Sequence, residues 1–220
     1  MSYYAVSDTT VIAINPKAGS MAMRASISQT PFVEITAVQA LEYEQRVMFI
    51  RDPVERVNSL FNMFYHLTTG CSGFSDTLPG DIILAYGARV GSFVGANDHR
   101  YIGRKRYDCE ARVNQERNGT LSDEQITVKL NNEDYQRYID YILAGNKDDH
   151  WGSQVALSSL DGQLVPNVIH NFSDIDTVWQ DYVIAPIKQQ NSWPSVSHDD
   201  YRLADLQAFY ADDIALIGTL

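Results

Sequence analysis

A short segment near the start of the chain has the residue types of an anion-binding turn. Residues 16–20 read PKAGS and directly follow an apolar run, TVIAI, at residues 10–14. Consecutive backbone N–H groups in a turn that contains glycine can surround a phosphate, and a helix that starts there adds a favourable dipole. Gly19 allows the backbone to approach a ligand closely, and Lys17 supplies a mobile positive charge. The alternative is an ordinary strand-to-helix turn with a solvated lysine.

A second segment, RDPVERVNS at residues 51–59, carries another cation and a hydroxyl. Arg51 follows the apolar run at residues 46–50, so it leaves a predicted strand at its carboxyl end. Ser59 comes eight residues later, which is about two turns of a helix at ~3.6 residues per turn. An arginine at a strand end and a serine on the next helix can therefore converge on one anion. The alternative is that Arg51 pairs with a carboxylate.

The elements that must hold these segments alternate between apolar strands and helices. Asp52 is a good N-cap and Pro53 is tolerated at the first helical position, so a helix begins there, and we assign Asp52, Glu55 and Arg56 structural roles. Strands separated by helices predict a parallel sheet, in which ligands bind at the carboxyl ends of the strands. The predicted strands cover residues 10–14, 32–36, 46–50 and 163–169, and the other predicted helices cover residues 21–28 (capped by Ser20), 37–45, 133–144 and 201–217.

Length and composition predict one α/β domain over residues 1–220. The formal net charge of −11 argues against a sequence-independent grip on nucleic acid, although a few local cations can still bind a small anion. No apolar stretch approaches the ~18 residues of a membrane span, and the N-terminus has no signal-peptide pattern, so we expect a cytoplasmic protein. Cys71 and Cys109 have no metal-ligand spacing and predict no disulfide framework. The oligomeric state is not predicted.

The two segments in this order, strand-PKxGS-helix and then strand-RDPxxRxxS-helix, resemble the sulfotransferase superfamily. Residues 148–175 and 210–218 are similar to segments of its carbohydrate (membrane-type) branch. The resemblance implies a P-loop NTPase-like fold, a parallel sheet flanked by helices. It implies 3′-phosphoadenosine 5′-phosphosulfate (PAPS) as co-substrate, no metal, and an acceptor hydroxyl on a carbohydrate. It places Arg51 and Ser59 on the 3′-phosphate, and it assigns the 5′-phosphosulfate to the first motif, Lys17, Ala18, Gly19, Ser20, Met21 and Ala22.

Two departures from the family pattern keep other functions open. Met21 and Ala22 follow Ser20, where the family usually has two hydroxyl residues after the glycine. Residues 171–173 read Asn-Phe-Ser, where the family tends to have Arg-Phe-Glu. One alternative is therefore a catalytically degenerate domain that only binds its ligand. A P-loop kinase is the other, but its G-x-x-x-x-G-K-[ST] signature is incomplete because Lys17 precedes Gly19.

The mechanism that the resemblance implies needs charge neutralisation and a base. Lys17 is expected to stabilise the charge that develops on the leaving phosphate. His150 suits the role of the base because imidazole titrates near neutral pH, and Asp148 or Asp149 could orient it. Glu34 is the other candidate, since several sulfotransferases carry a catalytic glutamate in the strand after the phosphate-binding helix. The basic run at residues 100–106 is either a contact for the acceptor or nucleotide, or a solvated loop.

Overall fold

The computed structural model of the protein describes residues 1–68, 130–187 and 200–220. These residues belong to two compact units. The first unit holds residues 1–57, 147–187 and 203–220, and the second holds residues 58–68, 130–146 and 200–202. The single domain over residues 1–220 stays a prediction.

In chain order, the elements of the described residues are β1 (Ser2–Ala5), β2 (Thr10–Ile14), α1 (Ser20–Ile27), β3 (Val33–Ile35), α2 (Ala37–Ala40), β4 (Gln45–Ile50), α3 (Pro53–Thr68), α4 (Asn132–Leu143), α5 (Gln154–Leu157), β5 (Ser159–Leu160), β6 (Gln163–Leu164), β7 (Val168–Asn171), α6 (Ile175–Val178), α7 (Leu203–Phe209) and α8 (Ala211–Ile217), with 3-10 turns at Phe172–Asp174 and Trp179–Asp181.

The central sheet of the first unit is mixed, with the strand order β3-β1-β2-β4-β7. Strands β2, β4 and β7 run parallel, whereas β1 is antiparallel to both β2 and β3. The α/β class is thus confirmed, but the prediction of a wholly parallel sheet is wrong at β1. The reason is the four-residue link from Ala5 to Thr10, because so short a connection can only reverse the chain, and a parallel crossover needs a dozen residues or more.

Both faces of this sheet are covered, which explains why every residue of β2 is buried. On one face, Ile12 and Phe49 pack against Met23 of α1 and against Trp179. On the other face, Val11 and Met48 belong to a cluster that includes Ala40 of α2 and the end of α8. This packing fixes the carboxyl ends of β2 and β4 beside each other, with Ala13 opposite Met48 in the parallel ladder.

Most predicted elements are present with shifted ends. Helix α1 begins at Ser20 and has Gly19 as its N-cap, so the prediction that Ser20 caps the helix is wrong by one residue. The predicted strand at residues 163–169 is two strands, because Pro166 has no N–H to donate to a ladder and separates β6 from β7. The predicted helix at residues 201–217 breaks at Tyr210, which leaves the helical region with φ −104° and ψ 28°.

The second unit holds α4 and the part of α3 from Asn58 onward. Asn131 caps α4 by accepting a hydrogen bond from the backbone N–H of Asp134. The ring of Phe61 stacks on Tyr138 at 5.5 Å between centroids and meets Tyr135 edge-on at 5.2 Å. Within the described residues, no helix combines the length and the apolar character that crossing a membrane requires.

Candidate functional site

The turn between β2 and α1 is held in an unusual backbone conformation. Lys17 has φ 63° and Gly19 has φ 70°, both in the left-handed region. An L-residue such as Lys17 adopts this region at a cost of roughly 1 kcal/mol, and such strain concentrates at functional sites. Helix α1, which starts directly after the turn, has no acidic residue in its first turn and receives no hydrogen bond from a capping side chain in the described part of the chain. The positive end of its dipole is therefore not offset locally.

Gly19 is required by a close contact as well as by its backbone angle. The ring of Phe172 lies so near that a Cβ atom on Gly19 would stand 2.5 Å from Cε2 and 2.9 Å from Cζ of that ring. We predicted that the glycine lets a ligand approach the backbone closely, but on this side of the turn the ring of Phe172 lies against the backbone of Gly19. Phe172 follows β7 directly, so its ring lies at the same end of the sheet as the segments that follow the parallel strands β2 and β4.

Arg51 lies beside this turn. It follows β4, the parallel neighbour of β2, and its Nη1 donates a hydrogen bond to the carbonyl oxygen of Lys17 at 3.4 Å. Its Cζ atom lies 5.7 Å from the centre of the Phe172 ring, within the range of a cation–π contact. Its Nε atom lies 3.6 Å from a carboxylate oxygen of Glu55, a pair in which the glutamate is 68% exposed. The structure therefore brings Lys17 and Arg51 together at the carboxyl end of the sheet.

The electrostatics of Lys17 follow from this arrangement. The pKa of Lys17 is lowered from 10.5 to about 8. The larger cause is that most of its side chain is removed from solvent, and the smaller cause is the nearby positive charge of Arg51. Both causes disfavour the ammonium form. An anion placed between Lys17 and Arg51 would offset both, because it would replace lost solvation and screen the two positive charges from each other.

Of the other residues of the first motif, Ser20 is the one whose side chain can donate a hydrogen bond. Ala18 is fully buried and Ala22 is nearly so, whereas Met21 on the same turn of α1 is 48% exposed. Ser20 is partly exposed at the first position of the helix. Ser59 lies on α3 within the second unit and is partly exposed, and its convergence with Arg51 on one phosphate stays a prediction.

Of the two candidate bases, His150 is paired with a carboxylate, and its role as a base stays a prediction. Its Nδ1 lies 2.7 Å from Oδ1 of Asp148, and the same carboxylate oxygen accepts a hydrogen bond from the His150 backbone N–H at 2.8 Å. Asp148, rather than Asp149, is therefore the carboxylate that orients the ring. When Nδ1–H donates to Asp148, Nε2 keeps the lone pair that can accept a proton.

Glu34 does not join the residues at the carboxyl end of the sheet. It is exposed in the middle of β3, opposite Tyr4, and β1 separates β3 from β2. Two strand spacings amount to about 10 Å, and Glu34 is level with Ile12, two residues before the end of β2. The role of Glu34 as a base stays a prediction.

Sequence reasoning missed a buried network on the other side of Arg51. Gln154 and Asp213 are both fully buried and are hydrogen-bonded to each other, and Gln154 also bonds the backbone of Arg51. The local sequence pattern did not indicate their contacts, since these join residues 103 and 59 positions apart. The helix containing Gln154 is a single turn, too short to give a periodic signal.

A buried arginine supports the same region. Arg56 on α3 is fully buried, and its Nη2 donates a hydrogen bond to the carbonyl oxygen of Gly152. Tyr210 donates its hydroxyl hydrogen to the carbonyl oxygen of the neighbouring Trp151, and burial raises the pKa of this tyrosine strongly. The structural role that we predicted for Arg56 agrees with these contacts.

No protein-family model, curated protein or solved structure matches the chain. The basic run at residues 100–106 lies outside the described residues. In the described ranges, no group of three or more His, Cys, Asp or Glu side chains is placed to hold a metal ion. The case for a function therefore depends on the motifs and on the site built by Lys17, Gly19 and Arg51.

Proposed function

We propose that this protein is a sulfotransferase that moves a sulfuryl group from PAPS to an acceptor hydroxyl. The observation that carries the proposal is the hydrogen bond from Arg51 to the Lys17 carbonyl. It joins the two motifs at the carboxyl ends of adjacent parallel strands and at the start of a helix that no side chain of the described residues caps. Such a place suits an anionic nucleotide, because backbone donors and two cations converge there.

In the proposed reaction, the acceptor oxygen attacks sulfur as the bond from sulfur to the phosphate oxygen of the nucleotide breaks. Lys17 neutralises the charge that builds on this leaving oxygen, and Arg51 holds the 3′-phosphate so that the donor stays in line. His150 takes the proton of the acceptor hydroxyl on Nε2, while Asp148 stabilises the imidazolium that forms. A carbohydrate acceptor follows only from the similarity of residues 148–175 to the carbohydrate branch.

The first test is calorimetric binding of adenosine 3′,5′-bisphosphate with EDTA present. We expect the wild type to bind, and Lys17→Ala and Arg51→Ala each to weaken binding by about tenfold or more, since each removes a charge-assisted contact to phosphate. Arg24→Ala is the matched control, because Arg24 is an exposed cation on α1 whose side chain bonds Ser2 rather than the turn. Tighter binding of ATP with Mg²⁺ than of the bisphosphate would favour the kinase alternative instead.

The second test is turnover with radiolabelled PAPS and a panel of carbohydrate acceptors. We expect transfer by the wild type and a loss of about 10²-fold or more in His150→Ala at saturating donor, which is the usual contribution of a general base. Binding of the bisphosphate without transfer to any acceptor would contradict the proposed activity and support a nucleotide-binding module.

A further inference from the structure

The backbone of Arg51 is held by a side chain from a distant segment. The amide of Gln154 makes two hydrogen bonds to this one residue: Oε1 accepts from the Arg51 N–H at 3.1 Å, and Nε2 donates to the Arg51 carbonyl oxygen at 2.7 Å. A side-chain amide thus pairs with the strand end as a neighbouring strand would. Since Arg51 comes directly after β4, the clamp fixes the direction in which its side chain leaves the sheet.

Gln154 is in turn held by a buried carboxylate on α8. Asp213 accepts hydrogen bonds from the backbone N–H groups of Gln154 and Val155, at 2.8 and 2.9 Å, and from Oγ of Ser153 at 2.7 Å. One of its oxygens also lies 3.4 Å from Nε2 of Gln154. A carboxylate that receives this many donors is a rigid anchor, because moving it would leave several buried groups without partners.

We propose that Gln154, anchored by Asp213, is the positioning residue for Arg51 and thereby sets the spacing between the two cations of the site. The clamp acts on the main chain, while the guanidinium at the other end of the residue reaches the Lys17 carbonyl. Gln154 is fully buried and bonds the backbone of Arg51, so we expect its effect on the nucleotide to pass through Arg51. The part of this inference that concerns the affinity for a doubly phosphorylated ligand rests on the proposed function.

The test replaces Gln154 by methionine, which has a similar length and cannot make either hydrogen bond. Asparagine is the second variant, since it keeps the amide but is one methylene too short to reach both backbone groups. Ser153→Ala is the matched control: it removes a hydrogen bond to the same carboxylate and the N-cap of α5, but leaves the clamp on Arg51. All variants are measured below their own unfolding transitions.

The first readout does not depend on any nucleotide. Lysine-labelled protein has five lysine signals, and the titration of Lys17 can be followed by NMR. Because the Arg51 charge depresses the Lys17 pKa, a guanidinium released from the turn should let that pKa rise in both Gln154 variants. Arg51→Ala gives the upper limit of the rise, and Ser153→Ala should lower stability without moving the titration.

The second readout is the affinity for adenosine 3′,5′-bisphosphate, which we expect to fall about tenfold in both Gln154 variants and to stay unchanged in Ser153→Ala. Lys17 titrations and affinities that match the wild type in both Gln154 variants would overturn the positioning role. If the wild type itself does not bind the bisphosphate, the proposed function fails, and the Lys17 titration still decides whether Gln154 positions Arg51.

Discussion

The contact between Gly19 and Phe172 makes a quantitative prediction about the turn. Gly19→Ala should destabilise the protein for two separable reasons. A left-handed backbone with a Cβ costs roughly 1–2 kcal/mol. The new methyl group would also stand 2.5 Å from the Phe172 ring, and relieving such overpacking costs about 1–3 kcal/mol. The sum is about 2–5 kcal/mol.

A double-mutant cycle separates the two terms. Phe172 is only partly buried, so Phe172→Ala alone should cost about 1–2 kcal/mol of lost apolar contact. In Gly19→Ala/Phe172→Ala the methyl group has room, so the steric term disappears and only the backbone term of Gly19→Ala remains. The double variant should therefore be more stable than the sum of the single losses by about 1–3 kcal/mol.

The assay is urea unfolding followed by circular dichroism, with stability compared through the midpoint and the slope of each transition. Gly19→Ser, which has the same backbone cost and a larger side chain, should behave like the alanine variant or worse. Strict additivity of the two single changes would refute the contact between the ring and the turn. A neutral Gly19→Ala would refute both the contact and the left-handed backbone.

Four further outcomes are expected. Between pH 8 and 10.5 the stability of the wild type should rise relative to that of Lys17→Met, by at most ~3 kcal/mol, because the unfolded Lys17 keeps its proton there and the folded one has lost it; urea unfolding of both proteins at the two pH values measures this difference. At pH 8, where both phosphates of the bisphosphate are already fully ionised, its binding should take up about half a proton in calorimetry across buffers, and binding to Lys17→Met should lack this uptake. Asp213→Ala should lower the free energy of unfolding, measured in urea, by about 3 kcal/mol or more, because the backbone N–H groups of Gln154 and Val155 lose their acceptor. Glu55→Gln should strengthen bisphosphate binding up to ~5-fold, since an exposed carboxylate no longer competes for Arg51.

The parts of the fold that could be predicted from the sequence are those with a local signal. Strand β2 has the predicted ends, and β4 begins one residue early, because runs such as TVIAI are buried on both faces. The start of α3 follows from Asp52, whose carboxylate accepts a hydrogen bond from the Glu55 N–H. Strand β1 was missed because its SYYA sequence is short and has polar and aromatic residues rather than an aliphatic run.

Some contacts of the candidate site could likewise be predicted from the sequence, and others could not. The position of Lys17 beside Arg51 follows from two strand ends in a parallel pair, which sequence order alone can indicate. The roles of Gln154 and Asp213 could not be predicted from sequence order, because a side-chain amide that pairs with a backbone 103 residues away leaves no periodic pattern. The same holds for Phe172, whose ring meets Gly19 only after β7 has joined the sheet.

Glu34, which lies on β3 at the edge of the central sheet, has a consequence for solubility. Among the described residues, β3 is an edge strand with β1 as its neighbour, and Val33 and Phe32 beside Glu34 are 62% and 43% exposed. An edge with such residues can recruit a strand from another molecule, and a charge in its middle opposes pairing of two copies because it would bring two like charges close together on neighbouring strands. The carboxylate of Glu34 therefore helps to keep copies of this chain from joining edge to edge.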